Sequence, residues 1–341
     1  MTARAFITGL AGTAITPAER AFLREAEPWG LILFKRNIAD PAQVFSLIDE
    51  FRSICGRDAA VLIDQEGGRV QRLQPPLWPA YPSGATYGEL YRRCPALGLQ
   101  AARLGARLIA ADLAALGITV DCLPLADVPV PSADRVIGDR AYGDRPDQVA
   151  AISMAVADGL RAGGVLPVLK HLPGHGRATA DSHERLPVVA TSRDVLEMTD
   201  FAAFMPLAGL PLGMTAHVVF TAIDPGLPAT CSITIIEQVI RGYIGFSGAL
   251  MSDDLSMGAL SGTLAERTCQ ALAAGCDLAL HCNGNLDEMQ EVAENSPMLA
   301  GSALERTSHA LASRAAAEAI DIAAARARFA QLLAGEVQRV I

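Results

Sequence analysis

The chain has 341 residues, 51% of them hydrophobic and 19% charged, with a net charge of −9 at pH 7 and a mean hydropathy of +0.28. So much apolar material excludes a disordered chain, and an acidic balance with no basic block argues against nucleic acid and anionic membrane as partners. Seven cysteines without paired spacing fit the reduced thiols of a cytoplasmic protein. The first ten residues, interrupted by Thr8 and Gly9, do not suggest a signal peptide, and no run approaches a membrane span.

Short apolar, often β-branched runs recur at 5–8, 30–34, 60–64, 119–123, 165–169, 213–217, 249–252 and 277–281. Amphipathic patterns fill the intervals. One covers 41–54, with Asp40 placed as its cap and Pro41 at the first helical position. A long helical stretch over 83–116 is broken near Cys94-Pro95. Such alternation implies a (β/α)8 barrel or an open doubly wound sheet. Eight runs favour the barrel, so the predicted fold is α/β, a single TIM-type domain over 1–341, closed by an Ala-rich helical segment from about 302.

Asp64, Asp127, His171, His217, Asp253 and Asn283 all fall at or just past the ends of these runs, where a barrel collects its ligand contacts. The segment Asp64-Gln-Glu-Gly-Gly-Arg-Val-Gln-Arg72 turns on two glycines and offers Arg69 and Arg72 as clamps for a carboxylate or sugar hydroxyls; a salt-bridged turn is the alternative. No Gly-Lys-Ser/Thr completes a phosphate cradle. In the loop 129–143, Arg140 is a candidate ligand contact, or else the partner of Asp139 or Asp144. Asp253 and Asp254 are neighbours on one strand, so one faces the centre and the other caps or orients. Asp277, Cys276 and Cys282 are expected to be structural.

The stretch Lys170-His-Leu-Pro-Gly-His-Gly176, followed by Asp181-Ser-His183, spends three of six histidines in thirteen positions. Pro173 and Gly174 break the helix that would bring His171 and His175 to one metal, and no Glu follows His171, so neither a metal nor another cofactor is expected. Asp181, two residues before His183, can hold one ring nitrogen and leave the other to move protons. The remaining alternative is that these histidines only satisfy backbone groups.

At these residues the chain resembles glycoside hydrolase family 3, and within it the bacterial β-N-acetylhexosaminidases of cell-wall recycling. Gly30-Leu-Ile-Leu-Phe-Lys-Arg-Asn37, the Asp64–Arg72 segment, the Lys170–Gly176 and Asp181–His183 segments, Ala216-His-Val218 and Ser252-Asp-Asp-Leu-Ser256 carry the resemblance. It implies a retaining double displacement with Asp253 as nucleophile, His183 as acid/base and Asp181 orienting His183. It further implies that Asp64, Arg72, Arg140, Lys170 and His171 contact a terminal N-acetylglucosamine. The implied substrate is a peptidoglycan fragment in which that sugar is linked to anhydro-N-acetylmuramic acid, with or without peptide, and the implied state is a cytoplasmic monomer. Leu172 stands where the family commonly has an aromatic residue, and Ala249 is smaller than usual, which bears on fine specificity.

A neutral imidazole adds no second negative charge beside the nucleophile. One hypothesis follows: phosphate serves as an acceptor alongside water, and finding no sugar 1-phosphate at high phosphate would remove it. A β-glucosidase or β-xylosidase of the same family, a sugar-binding barrel without turnover, and a route in which the substrate's acetamido oxygen is the nucleophile are the alternatives.

Overall fold

The computed structural model describes residues 3–335. Its centre is a ring of eight parallel strands: β1 (Arg4–Thr8), β2 (Pro28–Leu33), β3 (Ala60–Ile63), β4 (Val120–Asp121), β5 (Leu166–Leu172), β6 (Leu212–Thr215), β7 (Ala249–Asp254) and β8 (Leu278–Leu280). They pair in chain order and β8 returns to β1. The predicted (β/α)8 barrel is therefore present, and the open doubly wound sheet is excluded because the ring has no free edge.

Side chains alternate across each strand, and two cores result. Ile32, Leu62, Leu166, Val168, Ala249 and Met251 fill the inside of the ring. Leu31, Ile63, Leu169 and Leu250 pack outward against the helices. Each fully buried Leu, Ile, Val or Met side chain among these contributes roughly 1.5–3 kcal/mol relative to exposure. The inward rows also position chemistry. Leu166 and Val168 are followed in register by Lys170, and Ala249 and Met251 by Asp253, so both polar groups emerge at the carboxyl end of the ring.

Strand β5 runs three residues beyond the predicted limit and takes Lys170 and His171 out of the loop where they were expected. The helix Pro41–Cys55 is capped as predicted, with Asp40 accepting from the Gln43 amide at 2.9 Å. The 83–116 stretch divides at Cys94 into Gly84–Arg93 and Pro95–Ala114.

The Ala-rich end differs from the expected single helical segment. It forms two helices, Gly301–Ala312 and Ile322–Leu333. Between them tertiary bonds override alanine's helix propensity: the Glu318 amide donates to Ala162 O at 2.8 Å, and Arg107 donates to the Glu318 carbonyl. Asp321 then caps the second helix, whose Phe329 packs against Tyr81 and Tyr87. Asp277 is structural as expected, buried between Arg241 (3.0 Å) and Arg306 (2.5 Å), and Cys276 and Cys282 are buried thiols. Residues 1–2 and 336–341, the ends of the predicted domain, lie outside the described residues. Among the described residues no helix is long and apolar enough to cross a membrane.

Candidate active site

A cavity of about 320 Å³ opens at the carboxyl ends of the strands, and all the predicted site residues (Asp64, Arg72, Arg140, Lys170, His171, Asp181, His183 and Asp253) line it. Glu66, His175 and Phe34 join them. Asn283, expected at the same mouth, is absent from the lining; its side chain instead accepts from the Asn285 amide (2.8 Å) and donates to Glu288. Another cavity, of about 360 Å³, lies at the opposite end of the barrel and is lined chiefly by apolar groups such as Trp29, Leu299 and Leu311. Its Asp58 and Arg314 bond each other at 2.7 Å.

The floor is a network of buried charges. Lys170, only 2% exposed, donates to Glu66 at 2.7 Å and to Asp64 at 3.1 Å. Arg72 donates to the second oxygen of Asp64 at 3.0 Å, and Arg140 grips Glu66 with two bonds of 2.9 and 2.8 Å. Burial opposes ionisation of both carboxyls, but the surrounding cations outweigh it: Arg140 and Lys170 bring Glu66 down to about 2, and Lys170 and Arg72 take Asp64 lower still. For Lys170 and Arg140 burial likewise disfavours the charge, and the facing carboxylates more than restore it. Arg140 thus pairs with Glu66 and not with Asp139 or Asp144. Asp139 instead holds Arg69 at 3.0 Å, and Arg69 also donates to the carbonyls of Arg135 and Val136, so it staples the 129–143 loop and is not a free clamp.

A second layer orients imidazoles. His171 Nδ1 donates to Asp127 Oδ2 at 2.7 Å, which leaves Nε2 unbound, and the other Asp127 oxygen accepts from the His175 amide at 2.6 Å. Burial pushes the Asp127 carboxyl up, and the two histidines reverse this and set it at about 2. His175 is buried, edge-on to His171 with ring centroids 5.7 Å apart, and bonds Ser182 Oγ through Nε2 at 3.0 Å. Burial, then the neighbouring His171, lowers its pKa to about 4, so it is neutral.

Asp253 occupies the end of β7, with one oxygen accepting from the Asp254 amide at 2.8 Å. Burial resists its ionisation, but the imidazoles of His217 and His171 and that amide prevail and hold it below the ordinary carboxylate range. His217 is itself fixed, Nε2 donating to Asp254 O at 3.0 Å and Nδ1 bonded to Thr230 at 2.7 Å. Asp254 also borders the cavity, but its carboxylate is engaged, accepting from the Ser256 hydroxyl (2.7 Å) and the Cys282 amide (3.2 Å). One acid is thus left for chemistry and the other builds the turn.

The rim of the cavity carries Asp181 and His183. Asp181 Oδ1 accepts from His183 Nδ1 at 2.7 Å and from the His183 amide at 2.9 Å, fixing the tautomer that leaves Nε2 available. Burial raises the Asp181 carboxyl, and these two bonds together with the neighbouring imidazoles lower it on balance. Sequence reasoning did not assign roles to Glu66, Asp127 or the His175–Ser182 bond. Glu66 stood inside the Asp64–Arg72 segment and Asp127 at a strand end; their partners, in Arg140 and His171, are distant in sequence.

A barrel whose seventh strand delivers an ionised carboxylate to a polar cavity, beside an imidazole held by its own carboxylate, has the equipment of a glycoside-cleaving enzyme. The Glycosyl hydrolase family 3 N terminal domain matches residues 7–310. The chain belongs to glycosyl hydrolase family 3 and is a glycoside hydrolase. It is 40% identical over 279 residues to the beta-hexosaminidase of Alkalilimnicola ehrlichii, covering 81% of this chain and 79% of the relative. The structure of native NagZ from Neisseria gonorrhoeae superposes with a TM-score of 0.85 at 30% identity, covering 98% of this chain and 97% of that one. A family 3 beta-N-acetylglucosaminidase from Paenibacillus superposes with a TM-score of 0.82 at 29% identity over 99% of this chain, which spans 62% of the length of that protein.

Proposed function

We propose that the chain is a retaining exo-β-N-acetylglucosaminidase that releases terminal N-acetylglucosamine from peptidoglycan fragments, working as one catalytic domain over 1–341, monomeric and cytoplasmic. The observation that carries the reading is that Asp253, ionised at the end of β7, and the Asp181–His183 pair at the rim open onto the same cavity. Asp253 attacks the anomeric carbon as His183 Nε2–H protonates the departing glycosidic oxygen, and a covalent glycosyl-enzyme forms. His183 then takes a proton from water, whose oxygen attacks the anomeric carbon and releases Asp253. Asp181 stabilises the imidazolium that exists whenever His183 holds the proton.

Asp64, Arg72, Arg140, Lys170 and His171 hold the terminal sugar's hydroxyl and acetamido groups. The bonds that Asp64 makes to Arg72 and Lys170, Arg140 to Glu66, and His171 to Asp127 favour this, because a network that is already paired needs little reorganisation to accept a polar ligand. The names of the relatives support an acetamido sugar over glucose or xylose, and a faster hydrolysis of a chromogenic glucoside than of the N-acetylglucosaminide would reverse that preference. The seven free cysteines suit a reducing compartment.

The test is intact-protein mass spectrometry after incubation with a 5-fluoro N-acetylglucosaminyl donor. A stable mass increase mapping to the Asp253 peptide, and missing from Asp253→Ala, is expected. Turnover of an N-acetylglucosaminide without any adduct would transfer the nucleophile to the substrate's acetamido group, and absence of both would leave a sugar-binding barrel.

A further inference from the structure

The segment that carries His183 is tied to the strand that carries Asp253. The turn leaving β7 donates two backbone bonds to it, from the Gly258 amide to His183 O at 3.1 Å and from the Ala259 amide to Ser182 O at 3.1 Å. This close approach requires a residue without a side chain. A Cβ on Gly258 would lie 2.8 Å from Glu184 O and 2.9 Å from His183 O, inside van der Waals contact. The backbone of Gly258 is not in the left-handed region, so space and not conformation is what excludes a larger residue.

Both sides of this junction are braced. The turn itself is held by Arg267, which donates to Leu255 O at 2.8 Å from the following helix, and by Asp254, which accepts from Ser256. On the other side Ser182, 3% exposed, bonds His175 at 3.0 Å, and His175 is anchored to Asp127. The His183 side chain lies between these anchors at 66% exposure, with Asp181 as its side-chain partner. Its location relative to Asp253 is therefore set through the backbone.

We propose that Gly258 is a positioning residue: its lack of a side chain lets the turn following Asp253 clasp the carbonyls of Ser182 and His183, so that one strand end registers both members of the catalytic pair. This rests on the roles proposed above for His183 and Asp253. A merely structural glycine would affect all substrates alike. A positioning glycine affects the steps in which His183 transfers a proton.

The experiment compares wild type, Gly258→Ala, Ser182→Ala and His183→Ala on two N-acetylglucosaminides, one with 2,4-dinitrophenolate as leaving group, which departs without protonation, and one with a sugar leaving group, which requires it. For His183→Ala, kcat/KM on the sugar substrate is expected to fall ~100-fold or more and on the dinitrophenyl substrate to change little. Gly258→Ala is expected to reproduce that split at roughly tenfold, with KM near wild type, and Ser182→Ala at about threefold. Azide, which attacks the glycosyl-enzyme without base assistance, is expected to raise kcat of Gly258→Ala on the dinitrophenyl substrate.

Equal losses on both substrates in Gly258→Ala, or none, would overturn the proposal while His183→Ala still shows the split. If His183→Ala shows no split, the acid/base reading fails first. Should Gly258→Ala not fold, Ser182→Ala decides, because a uniform or absent effect there leaves the clasp without a catalytic role.

Discussion

At the floor of the cavity Lys170 and Arg140 both bond the buried Glu66 and have little exposure themselves, whereas at the rim His183 and Asp181 are 66% and 35% exposed and bond each other. The floor residues sit on or against the strands, and their charges are kept by mutual pairing in a place where an unpaired charge would be expelled. The rim pair stays accessible to water, as the acid/base role proposed for His183 requires. On the roles proposed above, binding is preorganised by ion pairs, and proton transfer by backbone placement. The two regions should therefore respond differently to substitution.

The largest expected effect falls between them. Asp253→Ala should lower turnover by ~10⁵-fold, measured on a chromogenic N-acetylglucosaminide, with little change in melting temperature. A residual rate within tenfold of wild type would remove Asp253 from the chemistry. Next comes the floor. Lys170→Met leaves Asp64 and Glu66 facing each other without the cation that both contact, and should cost about 3–5 kcal/mol in urea unfolding along with substrate binding. Stability at the wild-type value would show that the network is not what holds the floor. The rim should behave in the opposite way: Asp181→Asn should cost less than about 1 kcal/mol of stability, because an exposed pair is worth little, yet reduce kcat by roughly 10–100-fold.

The same division decides what could be read in the sequence. All eight strands were legible, because each buries apolar side chains over a short run, and the residues at their ends marked the catalytic face. The rim pair was legible too, since Asp181 and His183 are neighbours along the chain. The floor was not. The partner of Arg140 is 74 positions away in Glu66, while the sequence offered only Asp139 and Asp144 nearby. Strand β5 reads as ending at Leu169 because Lys170 and His171 are polar, and the carboxylates that make them acceptable there, Asp64 and Glu66 for Lys170 and Asp127 for His171, come from segments that leave other strands. Asn283 shows the reverse error: a strand-end position looked functional, but its side chain is used to start the next helix. Leu172 and Ala249, the departures noted from the family pattern, lie in the outer and inner cores and do not line the cavity.

The smallest predicted effect separates the regions by pH. His175 is buried and neutral, its pKa lowered from 6.5 to about 4, so the unfolded chain binds a proton on acidification before the folded one does. The stability this neutral histidine allows is fully present above pH 6.5 and is lost as pH falls toward 4, with a slope of at most ~1.4 kcal/mol per pH unit. Below that range Glu66, lowered from 4.5 to about 2, and Asp127, lowered from 3.8 to about 2, continue the loss, since their contribution is present above the unfolded pKa and disappears as pH falls through the folded one. Urea midpoints measured from pH 7 to 4 should therefore decline in wild type and flatten in His175→Asn, although the variant starts lower because it loses the bond to Ser182. An unchanged slope would place the acid sensitivity elsewhere and would mean that the second layer under the sugar is not held by a neutral imidazole.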